Sequence, residues 1–143
     1  MTNVLVQDES HQCFLLDENG QQLWNIQLDG PIQGEVQQID MFKTAKYQIV
    51  FTTKDLLHCL DILGREVEGF PASLPEASFL GATVLDYDKN RNYRILVPAG
   101  SKLYNYSVEG KLVEGWKADA ASGTITQSPA LYQSNGKDYV IIS

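Results

Sequence analysis

The chain has 143 residues, of which 11 are Lys or Arg and 18 are Asp or Glu, for a net charge of −7. That length suffices for a domain with a real core. The acidic balance and scattered cations disfavour a nucleic-acid partner and an anionic membrane surface, since both draw their affinity from clustered Lys and Arg. No apolar run approaches the roughly 20 residues that cross a bilayer, and residues 1–7 carry no basic stretch leading into an apolar one, so they do not read as a signal peptide. The chain reads as soluble with no membrane insertion, from a parent that can be exported to the periplasm or cell envelope.

Taken in order, residues 1–17 supply two short strands and end at a turn, Asp17-Glu18-Asn19-Gly20, followed by Trp24. Strands are expected over 34–42, 47–51 and 56–60, because these runs are β-branched, aromatic-led and of strand length. A second turn, Asp61-Ile62-Leu63-Gly64, precedes Phe70. Strands follow at 81–87, 93–97 and 102–106, then a third turn, Ser107-Val108-Glu109-Gly110, and Trp116. The last strands are expected over 124–132 and 139–142, around a polar turn at 134–138. No apolar periodicity of 3.6 residues runs for any useful length, so helices are not expected.

The order repeats. Trp24, Phe70 and Trp116 recur every 46 residues, and so do Tyr47, Tyr93 and Tyr139. Asp40 and Asp86 share the spacing, although Tyr stands at 132. Gly20, Gly64 and Gly110 close the three turns, four residues before the aromatic in the first copy and six in the others, so the first copy lacks two residues there. Four short strands per 46 residues make the blade of a β-propeller, and the recurring Trp or Phe suits the packing of one blade on the next. The fold expected is all-β, a propeller segment of about three four-stranded antiparallel blades. As a single segment over 1–143, it divides into a partial blade at 1–17, blades at about 18–60 and 61–106, and an incomplete blade at 107–143. Propellers close with four to eight blades, so the set is expected to be completed by a longer parent or by a homodimer.

The run Leu16-Asp17-Glu18-Asn19-Gly20-Gln21-Gln22-Leu23-Trp24 resembles the repeats of quinoprotein-like and WD40-like propellers, including those of outer-membrane assembly lipoproteins. The segments 64–71 and 86–94 are more similar to repeats in large uncharacterised envelope proteins of Bacteroidetes. The resemblance implies a propeller segment and carries no catalytic residue across.

Candidate sites are few. Asp86, Asp88, Asn90 and Asn92 alternate in a loop, a pattern that can wrap Ca²⁺ but here lacks the glycine and closing Glu of an EF-hand. The other reading is a hairpin turn whose Asx side chains bond their own backbone. The equivalent loops hold only Asp40 in the first copy and Asn135 with Asp138 in the third. His11 and His58 have no ligand companions for zinc. Asp8, Ser10 and His11 spell a hydrolytic triad but lie too close along the chain to adopt its geometry. Arg94 is expected to pair with Asp86 or Asp88. Cys13 and Cys59, one repeat apart, read as buried free thiols, which leaves the redox compartment open. A quinone would need a complete ring, so no cofactor is expected apart from calcium. The function expected is a non-enzymatic protein-interaction or scaffold module. The alternatives are a part of a quinoprotein-like or glycan-processing enzyme, and a calcium-stabilised carbohydrate-binding module.

Overall fold

The computed structural model describes residues 2–143. Met1, where the reading of the N-terminal segment begins, lies outside them. The described residues form twelve strands in four small antiparallel sheets and no helix. The first sheet holds β1 (Val4–Gln7), β2 (Gln12–Leu16) and β3 (Gln22–Gln27), and the second β4 (Gln33–Ile39), β5 (Gln48–Thr52), β6 (Leu56–Leu60) and β7 (Ala72–Ser73). The third holds β8 (Thr83–Leu85), β9 (Arg94–Ala99) and β10 (Lys102–Ser107), and the fourth β11 (Ala130–Ser134) and β12 (Lys137–Ile141).

The sheets group the strands differently from the units expected at 1–17, 18–60, 61–106 and 107–143. The glycine turns do not open a new sheet. Asp17–Gly20 joins β2 to β3, and Asp61–Gly64 lies after β6 within the second sheet. The reason is the hydrogen bonding of the turns. In each turn the amide of the first residue donates to a carbonyl four residues on, at 2.8 Å for Asp17 to Gln21 and for Asp61 to Arg65, which returns the chain beside the strand it just left. The connections after β3, β7 and β10 carry it to the next sheet. Three expected strands are also shorter: 34–42 ends at Ile39, 81–87 is reduced to Thr83–Leu85, and of 124–132 only the part from Ala130 onward lies in a strand.

The two residues missing from the first copy decide the shape of the outer strand. In the second copy the amide of Phe70 donates to Val67 and that of Val67 to Cys59, a local turn that interrupts pairing and leaves β7 only two residues. The third copy repeats it, with Trp116 donating to Val113 and Val113 to Asn105. Without the extra residues, β3 runs beside β2 for its whole six-residue length, in five partner pairs with one irregularity at Leu15/Leu16.

Central strands are buried on both faces, so they are apolar runs rather than alternations. Val50 and Cys59 are paired and face the third sheet, where they join Ile39, Leu57, Phe70, Ala82, Ile95, Val97 and Tyr106. Their neighbours Phe51 and Leu60 face the other way, against Cys13, Trp24 and Leu28 of the first sheet and its connection. Leu85, Leu96 and Leu103 of the third sheet meet Val140 and Ile142. Each full burial of a side chain such as Phe51 contributes about 1.5–3 kcal/mol. Trp24 and Phe70 sit in these clusters, and Trp116 is 38 % exposed. Its indole N–H donates to Leu103 O at 3.0 Å, within its own sheet.

Candidate functional site

Antiparallel strands place the β4–β5 loop, the glycine turns and the β8–β9 loop at one end of the stacked sheets. This loop end carries the side chains that distinguish one copy from another. The β4–β5 loop is built on Asp40. Its Oδ1 accepts the Thr44 amide at 3.0 Å and its Oδ2 the Ala45 amide at 3.2 Å, while Lys43 and Ala45 take positive φ of 58° and 59°. The β8–β9 loop repeats this 46 residues on. Asp86 accepts the amides of Asn90 and Arg91 at 3.0–3.1 Å, and Lys89 and Arg91 have φ of 54° and 64°. A non-glycine residue in that region is strained; here the carboxylate holds the backbone in it.

The third copy has Tyr at 132 and no such loop. Ile39↔Gln48, Leu85↔Arg94 and Leu131↔Val140 are the same pair, 46 residues apart each time. In the last copy the ladder continues through Tyr132↔Tyr139 to Ser134↔Lys137, closed by Asn135-Gly136 at φ 50° and 72°. That is a two-residue turn of the primed type that suits a hairpin. The expected turn over 134–138 thus shrinks to two residues, and the rings of Tyr132 and Tyr139 meet tilted at 45°, 6.4 Å between centroids.

The loops also join neighbouring sheets. Arg91 Nη1 donates to Asp40 Oδ2 at 3.0 Å, and the amide of Asp40 donates to Tyr93 Oη at 3.2 Å. Buried Asp40 therefore binds two residues of the next sheet as well as its own loop. Arg94, expected to pair with Asp86 or Asp88, instead donates to Tyr93 O at 3.3 Å. The cation that pairs is Arg91, and it reaches back one sheet.

A second cluster lies between the first and second sheets. His58 is 4 % exposed, opposite Phe51 across the ladder and stacked on its ring at 5.0 Å. Its Nε2 faces Asp29 Oδ1 at 3.0 Å, and its Nδ1 is hydrogen-bonded to Glu66 Oε1. Carboxylate oxygens only accept, so both ring nitrogens donate and the ring is an imidazolium. Burial opposes that charge, but the hydrogen bonds and charges of Glu66 and Asp29 outweigh it and hold His58 above its usual value of 6.5. Asp29 also accepts Thr53 Oγ1 at 2.7 and 2.9 Å. Burial alone would raise its carboxyl; Thr53 and His58 hold it below the usual 3.8. Glu66 Oε2 accepts the Cys59 amide at 3.2 Å. Asp29 lies on the β3–β4 connection, so the cluster fastens that connection to β6.

No family model matches the chain, and no curated protein matches it.

The remaining candidates fall into local structure. In the D-x-D-x-N-x-N run, Asp86 uses its carboxylate on the amides of Asn90 and Arg91, and Asn90 Oδ1 accepts the Asn92 amide at 2.9 Å in an Asx turn. Among the described residues no three His, Cys, Asp or Glu gather as a metal set. Asp8, Ser10 and His11 form a tight turn, not a triad. Asp8 Oδ1 accepts the Ser10 hydroxyl at 2.7 Å and the amides of Ser10 and Gln12, and His11 takes the positive φ, 65°, that glycine takes in the other turns. The Ser10 bond is the main reason the Asp8 carboxyl lies below its ordinary value. Two of the turn glycines leave no room for a side chain: a Cβ at Gly110, φ +73°, would stand 2.2 Å from Gly69 O, and one at Gly64, φ +77°, would stand 2.6 Å from Trp24 Cδ2. Cys13 and Cys59 are free and buried, and burial pushes their thiols up to about 11 and about 12. The sequence reading missed Asp29, Thr53, Glu66 and Arg91. His58 carried a usable signal, a basic residue inside an apolar strand that is buried on both faces.

Proposed function

We propose that the chain is a β-propeller segment in which each sheet is a blade, and that it serves as a non-enzymatic interaction or scaffold module whose loop end meets a protein partner. The observation that carries this reading is the recurrence of one hydrogen-bonded pattern at 46-residue intervals: the same hairpin register, the same aspartate loop, and sheets packed face to face through apolar clusters. Rigid strands with variable loops are how such folds bind. Leu23, Phe42, Ile62 and Leu63 are large apolar side chains exposed at the loop end, and none is needed for the inter-sheet core. A net charge of −7 with no basic cluster favours protein over nucleic acid as the partner. Among the described residues no helix is long and apolar enough to cross a membrane.

The test is capture of a partner by immobilised wild-type chain compared with a Phe42→Ser, Leu63→Ser variant. Both residues are exposed, so the variant is expected to fold. Loss of the captured protein supports the reading; equal capture, or none with either, refutes it.

A further inference from the structure

The groove between the first and second sheets has a shape that the molecule itself explains. It has a volume of about 550 Å³ and is lined by Leu5, Leu15, Trp24, Val36, Tyr47 and Ile49, among others. Its counterpart between the second and third sheets is filled. There β4 pairs with the inner edge of β5, and Ile39 packs with Ala82, Val84, Tyr93 and Ile95. Residues 36, 38, 47 and 49 stand 46 before 82, 84, 93 and 95. Yet Val36 is 37 % exposed and Tyr47 49 %, and Ile49 is half-buried, while their counterparts Ala82 and Ile95 are 5 % and 0 % exposed and Tyr93 is half-buried. The cause is the first sheet, ordered β1-β2-β3: among the described residues nothing pairs with the free edge of β1, where β4 lies in the second sheet and β8 in the third.

We infer that this groove is a strand-acceptor site, and that its occupant is an extended strand of the inner type presented by another unit of the same repeat. The filled interface specifies the chemistry. The occupant's backbone ladders onto β1 as β4 does onto β5. An aliphatic side chain at the position of Ile39 enters between Val36, Ile49 and Tyr47. The amide of the next residue donates to Tyr47 Oη, as the Asp40 amide donates to Tyr93 Oη at 3.2 Å. Ala45 stands where Arg91 stands in the next copy, so this site recognises the occupant's backbone and aliphatic side chain but not its carboxylate.

The inference rests on the propeller reading, and its test is independent of the loop-end partner. The probe is a synthetic peptide of residues 35–46, the chain's own inner strand and loop, titrated into the full chain by calorimetry. Saturable one-to-one binding is expected. A peptide carrying Ile39→Asp should not bind. Val36→Lys in the chain, a change at an exposed position, should abolish binding. Tyr47→Phe should weaken binding about two- to tenfold, the span of one net hydrogen bond. If the chain sediments as a dimer through this groove, Val36→Lys must make it monomeric and the peptide must dissociate it. Absence of saturable binding, binding indifferent to Val36→Lys and Ile39→Asp, or a dimer indifferent to both Val36→Lys and the peptide would overturn the inference. The Phe42, Leu63 capture assay would be untouched by that result.

Discussion

Replacing His58 by Leu keeps the volume of the buried ring approximately and removes the only cation between Asp29 and Glu66. Removing one partner of a buried ion pair costs about 3–5 kcal/mol where the remaining charge is fully enclosed. Here it is not: the side chains of Asp29 and Glu66 are 34 % and 27 % exposed. Thr53 still donates to Asp29, and the Cys59 amide still donates to Glu66. Solvent screening and these surviving donors reduce the expected loss to about 2 kcal/mol. For a chain of this size that lowers the melting temperature by roughly 6–10 °C. Circular dichroism melts and urea titrations from pH 3 to pH 9 measure it. His58 is raised above 6.5, so its contribution is fully present below pH 6.5 and is lost as pH rises through the folded value. Asp29 is depressed, so its contribution is present above 3.8 and is lost as pH falls through its lower folded value. The gap between wild type and His58→Leu should therefore be widest near pH 5–6 and narrow toward alkaline pH. A variant as stable as wild type at pH 6, or a gap of equal size at pH 6 and pH 9, would refute the imidazolium clamp.

Four further outcomes are expected. Asp40→Ala should cost about 2–3 kcal/mol, because it strips a buried carboxylate from the amides of Thr44 and Ala45 and from Arg91, whereas Asp86→Ala should cost about 1 kcal/mol; urea titration ranks the two. Gly64→Ala should be more destabilising than Gly20→Ala, since both glycines have φ near +77° but only the first meets Trp24, with nothing within 4 Å of the second; the excess should appear with a change in tryptophan fluorescence. Cys13 and Cys59 should resist Ellman's reagent at pH 8 in the native state and react fully in urea, because burial keeps both thiols protonated. Millimolar calcium should leave the melting temperature where chelator leaves it, since the Asp86 carboxylate is already satisfied by amides; a rise with calcium would show a native-state site.

What the sequence made legible was local. The Tyr-led runs at 47, 93 and 139 mark β5, β9 and β12, because β-branched stretches of that length have few other uses. Grouping of strands into sheets was not legible from the glycine turns, since a turn signal fixes reversal of direction and not whether the next strand joins the same sheet. The two-residue gap after Gly20 was visible as a slip in spacing, but its effect, a continuous β3 against an interrupted β7, depends on which carbonyls the spare amides find. The His58 cluster was hidden for another reason. Asp29, Thr53 and Glu66 lie on three different segments: Glu66 reaches the ring from the connection after β6, and Asp29, held by Thr53, reaches it from the β3–β4 connection.

The eight residues between Ile39 and Gln48, between Leu85 and Arg94, and between Leu131 and Val140 are the same length of chain in all three copies. Two copies fold them as a bulging loop around an aspartate, and the third zips them into a hairpin around Asn-Gly. The strands below keep one register throughout. Such a segment behaves as an exchangeable cassette: its sequence can be rewritten wholesale, from anchored arch to protruding finger, without disturbing the scaffold on which it is mounted. A repeat with this property can diversify what it presents at one end while every copy continues to stack on the next.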